Sequence, residues 1–305
     1  MRFKILIFVL SLAFLAGTFL AAYWFYDTID QPERQAEQAL ARRVRQAATQ
    51  PPPDPAASSY QKALAALEAG EIDSAHEQLT RLLKVYPSSP RIPEVQRMLG
   101  EINLDRLFSR SPMPGKRDYI VKPGDSLARI EKGSLTTIPF LKQLNQLSGL
   151  NLQPGDRLVY QPLEFEIEID LAKSTLTVRQ KGAAGLEPAF FKEYSLIAVA
   201  LPPQFPKTLT TQIQEKPTVL DGKKVLTSDP KYAFTRKRLV TTIRPGRANL
   251  MIRPDSDRHE SPPATPPPAG SAPPAAATHG VFLADGDIEE LSTILRIGTP
   301  VVVHR

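Results

Sequence analysis

A chain of 305 residues exceeds one average domain, and its 30 prolines are too clustered for one continuous core, so several units joined by linkers are expected. The formal charge of +6 comes from Lys and Arg scattered along the chain, which argues against nucleic-acid binding and suits an anionic surface. There is no cysteine, which excludes disulfides, thiolate metal sites, lipid attachment through cysteine and cysteine nucleophiles.

Arg2 and Lys4 precede an uncharged run from Ile5 to Tyr26, broken only by Ser11, Gly17 and Thr18. Such a run is long enough to cross about 30 Å of hydrocarbon as a helix. Tyr23, Trp24 and Tyr26 form an aromatic belt at its far end. With positive charge before the run and Asp27, Asp30 and Glu33 after it, the expectation is a single-pass inner (cytoplasmic) membrane protein. Residues 1–4 would be a cytoplasmic tip, residues 5–26 the transmembrane anchor, and the bulk extracytoplasmic or periplasmic. A cleaved signal peptide is the competing reading, but Phe19-Leu20-Ala21 and Leu20-Ala21-Ala22 both fit the small-residue cut poorly.

Residues 27–57 read as an exposed helical stalk, rich in Ala, Gln, Arg and Glu, ended by Pro51-Pro52-Pro53 and Pro55. Over residues 58–109 apolar residues recur at helical spacing, with Gly70 and Pro87 as punctuation. Ala63, Gly70, Ala75, Leu79, Leu82 and Pro87 resemble one tetratricopeptide-like unit. One repeat cannot bury its own face, so this segment needs the next helix, a neighbouring domain or a partner. Docking of an envelope protein, self-association and a plain helical spacer are all open readings. Residues 110–117, with Pro112, Pro114 and Gly115, read as a linker.

From Tyr119 the pattern becomes strand, turn, helix, helix, turn and strand: Tyr119-Ile120-Val121, Lys122-Pro123-Gly124-Asp125, a helix bearing Leu127 and Ile130, and a helix after Thr136-Thr137 bearing Ile138, Leu141 and Leu144. Leu152-Gln153-Pro154-Gly155-Asp156 and Arg157-Leu158-Val159-Tyr160 close it. These motifs, with Leu144-Asn145-x-Leu147, resemble the LysM family over residues 118–162. The resemblance implies binding of bacterial peptidoglycan glycan strands, polymers containing N-acetylglucosamine, in a shallow groove between two loops. It assigns Gly124, Asp125, Ser126 and Leu127 to one side and Leu150, Asn151, Leu152 and Gln153 to the other. Backbone groups and short polar side chains would bond acetamido groups while leucines cover the sugar's apolar face. Gly124 also shapes its turn, and Asp125 is equally a candidate helix cap.

Residues 163–305 open with Phe165, Ile167, Ile169 and Leu171 alternating with acidic residues, a half-buried strand. They end with a helix expected to be capped by Asp285 and the strand Pro300-Val301-Val302-Val303. Glu168-Ile169-Asp170-Leu171-x-Lys173-Ser174-x-Leu176-Thr177-Val178, His279-Gly280, Asp287-Ile288-Glu289-Glu290-Leu291 and Gly298-Thr299-Pro300-Val301-Val302-Val303 resemble the L,D-transpeptidase catalytic domain. That family cross-links peptidoglycan with a cysteine nucleophile and histidine bases. Its Ser-His-Gly-Cys-x-Arg signature meets Thr278-His279-Gly280-Val281-Phe282-Leu283 here, so Val281 stands for the cysteine and Leu283 for the arginine. Arg253 stands at the apparent position of the upstream histidine. A valine can neither ionise nor attack. Thr278 and Ser292 are the nearby hydroxyls, and His279 reads as a retained structural histidine. His76, His259 and His304 lack metal-ligand spacing, so neither metal nor cofactor is expected. The Pro- and Ala-rich insertion 258–278 reads as extended or disordered, either a proline-motif ligand or a loop released from shaping an active site.

The expected fold class is therefore multidomain α+β: an N-terminal transmembrane helix, a small helical hairpin unit, a βααβ LysM domain and a mainly β L,D-transpeptidase-like domain. The expected function is a membrane-anchored, peptidoglycan-binding scaffold or regulator with a catalytically inactive domain. The alternative is an active transpeptidase using an unrecognised nucleophile.

Overall fold

Leu, Ala and Phe dominate the N-terminal segment, and they sustain one helix, α1, over Arg2–Phe25. Thr18 turns its hydroxyl back onto the Leu15 carbonyl at 2.9 Å, the usual way a helix absorbs a threonine. The computed structural model describes residues 2–26, 37–42, 54–182, 187–202, 204–220, 223–227, 229–244, 248–258 and 279–305. They divide into two units, Met1–Ala57 and Ser58–Arg305.

The expectation of a transmembrane anchor at residues 5–26, and with it the single-pass inner-membrane topology, is corrected. Among the described residues no helix is long and apolar enough to cross a membrane. Of the expected stalk, residues 37–42 are helical, while most of the remainder, Pro51-Pro52-Pro53 included, lies outside the described residues. The expected insertion 258–278 also lies outside them, apart from Arg258.

The second unit begins with α2 (Ala57–Glu68), α3 (Ile72–Val85) and α4 (Ile92–Phe108). Gly70, at φ +75°, supplies the left-handed turn between α2 and α3. Tyr60, Ala63, Ala75, Leu79, Leu82, Val95 and Leu99 are buried. The far end of α4 sends Leu104 and Leu107 into a core shared with Phe165, Ile167 and Phe191. Asn103 Nδ2 donates to the Phe191 carbonyl at 2.7 Å, and Lys192 Nζ meets Glu101 at 2.9 Å. A Cβ on Gly100 would come within 2.9 Å of the Lys192 side chain, so glycine permits this approach. The open face of the single repeat is thus covered by its own chain, which removes the packing argument for a partner or second copy there.

Next come β1 (Arg117–Ile120), α5 (Leu127–Ser134), α6 (Ile138–Asn145) and β2 (Arg157–Tyr160). The strands pair antiparallel, Tyr119 opposite Leu158. Ser126 and Thr137 cap the helices, accepting from the amides of Arg129 and Phe140. Asp125, expected as an alternative cap, is engaged elsewhere. Val121, Leu127, Ile130, Leu141 and Leu158 form a small core. The other side of α6 faces away from it: Phe140 and Leu144 belong to the large core with Leu163 and Phe165.

Nine strands carry that large core: β3 (Phe165–Asp170), β4 (Thr175–Gln180), β5 (Ala189–Ser195), β6 (Ala198–Ala200), β7 (Thr208–Glu215), β11 (Leu239–Arg244), β12 (Ala248–Pro254), β13 (Gly280–Leu283) and β14 (Pro300–His304). They lie in the order β5-β4-β3-β14-β7-β11-β12-β13-β6. Three short strands, β8 (Thr218–Leu220), β9 (Lys223–Lys224) and β10 (Arg236–Lys237), make a second sheet. In β3 the alternation has its expected effect, Phe165, Ile167 and Ile169 pointing inward. Helix α7 (Asp285–Ile294) buries Ile288, Leu291 and Ile294. Its N-cap is Ala284, without a side-chain bond, and the Asp285 carboxylate instead accepts from the Ser256 amide at 3.2 Å.

Charge is buried at the end of β12. The Asp257 side chain is 0% exposed and meets Arg238 Nε at 2.6 Å and Arg253 Nε at 2.9 Å. Burial pushes this carboxyl up, but the bonds and charges of Arg238 and Arg253 outweigh it and hold it below its ordinary value. Burial has the opposite net result at Glu290 and Asp287, which are raised.

Two outcomes follow from these cores. Phe140→Ala is expected to cost about 3–5 kcal/mol, and because both cores meet on α6, amide exchange should quicken in β3 and β14 as well as in residues 119–160. Acceleration confined to 119–160 would show the cores to be independent. Asp257→Asn removes the counter-charge of buried arginines, an expected loss of about 3–5 kcal/mol in urea melts at neutral pH. The lowered Asp257 pKa makes its contribution present above the ordinary value near 3.9 and lost as pH falls through the lower folded value, so the difference between variant and wild type should narrow below about pH 4.

Candidate functional site

Lys122-Pro123-Gly124-Asp125 and Gln153-Pro154-Gly155-Asp156 are two copies of one turn. In the first, Asp125 Oδ2 accepts from the Lys122 amide at 2.8 Å while the Asp125 amide donates to the Lys122 carbonyl at 3.1 Å. In the second, Asp156 Oδ2 accepts from the Gln153 amide at 2.8 Å while the Asp156 amide donates to the Gln153 carbonyl at 3.0 Å. Gly124 at φ +81° and Gly155 at φ +98° occupy the left-handed region each turn needs. Across the ladder, the Val121 amide donates to Asp156 O at 2.9 Å and the Gly155 amide to Val121 O at 2.8 Å. The two turns are therefore locked side by side at the same end of the β1–β2 ribbon.

Tyr119 reinforces the first turn by donating its hydroxyl to Asp125 Oδ2 at 2.7 Å. This bond, with that of the Lys122 amide, holds the Asp125 carboxyl below the usual carboxylate range. Arg129 donates to the Gly124 carbonyl at 3.0 Å and ties the turn to α5. Each turn is thus fixed by hydrogen bonds within itself.

The residues assigned to the groove divide by burial. Gly124, Ser126, Asn151 and Gln153 are exposed; Asp125, Leu150 and Leu152 are half-buried. Leu127, 2% exposed, lies in the small core beneath the turn rather than on its surface. Leu150 and Leu152 pack against the same core from outside. Exposed amide side chains beside partly covered leucines suit a sugar ring with an apolar face and a polar edge. Tyr119 and Asp156, quoted among the motif residues but not assigned to the groove, hold the two turns in shape.

The residues compared with a transpeptidase site lie on adjacent parallel strands. Ile252 pairs with Val281, Arg253 with Phe282 and Pro254 with Leu283. Val281 and Leu283 are both 0% exposed, in the large core. Arg253, 4% exposed, is held by Asp257 and stacks 5.3 Å from the Phe282 ring centre. A Cβ on Gly280 would come within 2.6 Å of the Met251 carbonyl, so the strand permits only glycine there. His279 is half-buried immediately before β13. Ser292 is 2% exposed within α7, and Thr278 lies outside the described residues. Among the described residues no group of three or more His, Asp or Glu is arranged to hold a metal ion.

Among solved structures, the chain is similar to an L,D-transpeptidase from Mycobacterium smegmatis, with 17% identity, 50% of this chain and 64% of that chain covered, and a TM-score of 0.28. It is also similar to an L,D-transpeptidase mutant from Enterococcus faecium, at 15% identity, 50% and 53% coverage and a TM-score of 0.25. A fused Zn-dependent amidase, peptidase and peptidoglycan-binding protein from Clostridium acetobutylicum gives 12% identity, 46% and 52% coverage and a TM-score of 0.28. The chain thus spans about half to two thirds of these chains, and TM-scores this small carry no conclusion about activity. No curated protein matches it. The LysM domain family matches residues 119–160, the stretch that holds both Pro-Gly-Asp turns, the helices between, β2 and the end of β1. Residues 119–160 of this chain are a LysM domain, a module that implies binding to peptidoglycan.

Proposed function

We propose that this protein binds the glycan strands of peptidoglycan in the bacterial cell envelope, and that its C-terminal domain serves as a non-catalytic scaffold resembling an L,D-transpeptidase. The observation that carries the glycan reading is the pair of locked Pro-Gly-Asp turns inside the LysM domain. Rims whose backbone is fixed before binding lose little entropy when a sugar arrives. Gly124, Asp125 and Ser126 would line one rim and Leu150, Asn151, Leu152 and Gln153 the other, with Leu127 supporting the first from beneath.

The non-catalytic reading rests on chemistry. Acyl transfer requires an activated nucleophile, a base and a site for the developing oxyanion, acting together. Val281 offers no ionisable group, and its side chain is 0% exposed. Arg253, at the position of the family's upstream histidine, is committed to Asp257 and Phe282. Ser292, the alternative hydroxyl, is 2% exposed. Filling this region with an aliphatic core and an ion network supports a role in holding the fold.

In co-sedimentation with purified sacculi, the full chain should pellet. The double variant Asn151→Ala/Gln153→Ala, which changes only exposed side chains, should weaken binding about tenfold, as loss of two hydrogen bonds implies. Undiminished binding by this variant would move recognition away from the second rim. In a purified tetrapeptide assay followed by mass spectrometry, neither wild type nor Val281→Cys should form cross-links above a buffer control. Cross-linking by wild type would overturn the non-catalytic reading, and activity in Val281→Cys alone would show that the rest of a catalytic site survives.

A further inference from the structure

Beside the LysM ribbon, the segment between α4 and β1 folds back on itself. The Lys116 amide donates to Met113 O at 3.1 Å, Gly115 sits at φ +93°, and Lys116 Nζ donates to the Arg106 carbonyl at 2.9 Å. Between this turn and the ribbon lies a cleft of about 340 Å³. Its charged lining is Arg110, Lys116, Arg117 and Arg157 against the single carboxylate of Asp118, with Met113 and Val159 adding apolar wall.

That carboxylate is already used. Asp118 accepts from Arg157 Nε at 3.1 Å and Nη2 at 2.8 Å, a two-pronged pair. Arg110 and Arg117 are exposed, and among the described residues neither has an ion-pair partner. The cleft thus presents uncompensated guanidinium groups and a half-buried ammonium beside apolar surface. Burial, then the charge of Arg106, depresses the Lys116 pKa, so a carboxylate arriving here would relieve an unfavourable environment. Arg157, which lines the cleft, follows directly on Asp156 of the second turn in the chain.

We propose that this cleft binds carboxylates of the short peptides attached to peptidoglycan glycan strands, with Arg110 and Arg117 as the carboxylate ligands and Met113 and Val159 against aliphatic peptide groups. The proposal deepens the glycan-binding reading and rests on it for the source of the ligand. Guanidinium groups match carboxylates geometrically, and a mixed polar and apolar cleft suits a peptide with small side chains. The protein would then read two parts of the wall polymer with contiguous surfaces, glycan in the groove and peptide in the cleft.

The test uses the full chain and Arg110→Gln/Arg117→Gln, whose exposed positions leave both cores untouched. Calorimetry would compare an N-acetylglucosamine oligomer without peptide, a disaccharide tetrapeptide with free carboxylates, the same compound with its carboxylates amidated, the free tetrapeptide and inorganic phosphate. Wild type should bind the free-carboxylate compound about three- to tenfold more tightly than the amidated one at low salt, a preference that shrinks at high salt. The variant should lose that preference and bind the bare oligomer as wild type does. Equal affinity of wild type for free and amidated compounds, with the oligomer still bound, would overturn the cleft assignment while leaving the glycan reading intact. Failure of the oligomer to bind would sink the glycan reading, and the cleft assignment would then stand only if the free tetrapeptide binds wild type more tightly than the variant. Phosphate binding as tight as that of the tetrapeptide, and equally lost in the variant, would make this a general oxyanion site and overturn the peptide assignment.

Discussion

The structure of the second unit depends on α6 being buried on two sides. Eight residues, Ile138–Asn145, put Leu141 into the small LysM core and Phe140 and Leu144 into the large one. A LysM domain of this size has little interior of its own, and a chain this short buries too small a fraction of its surface to be very stable alone. Here the deficit is met by neighbours: Phe108 of α4 lies 5.4 Å from Phe140 between ring centres, and the Thr137 hydroxyl donates to the Thr293 carbonyl of α7. The helical repeat is completed in the same way, through Leu104 and Leu107. Three sequence modules therefore share one interior, and a cavity opened at α6 would be felt on every side.

The extent to which this could be read in advance follows the range of the interactions. The βααβ order and its helix caps are legible because each depends on residues within four positions of one another: Ser126 with Arg129, Thr137 with Phe140, and each Pro-Gly-Asp turn with the residue before it. The alternation in β3 is legible for the same reason. What the sequence hides is assembly. Nothing local announces that α4 will lie on β5, which follows it by more than 80 residues, or that the segment at 110–117 is a folded wall rather than a free linker. The anchor shows the converse failure, since hydropathy over residues 5–26 suggests a span that the described helix does not supply. The groove is partly legible: composition finds its turns, but only packing separates Leu127 in the core from Asn151 and Gln153 at the surface.

At the end of β12 an ion network is buried within the large sheet. Arg253, Arg238 and Asp257 satisfy one another in the interior. Such a network requires that each member keep its partner, because a buried charge deprived of its counter-ion costs more than the pair gains. The Phe282 ring adds a second constraint by taking Arg253 5.3 Å and Arg258 5.7 Å from its centre. The parallel pairing of β12 with β13, made tight by Gly280, brings these groups together and leaves Val281 pointing into apolar surroundings.

A shared interior also bears on how wall binding is transmitted. Modules on free linkers gain avidity but transmit no orientation, because the linker averages over directions. Here the groove turns are carried on β1 and β2, those strands pack on α6, and α6 is seated between α4 and α7. Glycan held between the Pro-Gly-Asp turns would fix the direction of the strand axis relative to the nine-stranded sheet. The C-terminal domain would then present the same faces to the envelope at every site of attachment. Modules that share one interior hold a defined orientation relative to one another, which modules on free linkers do not.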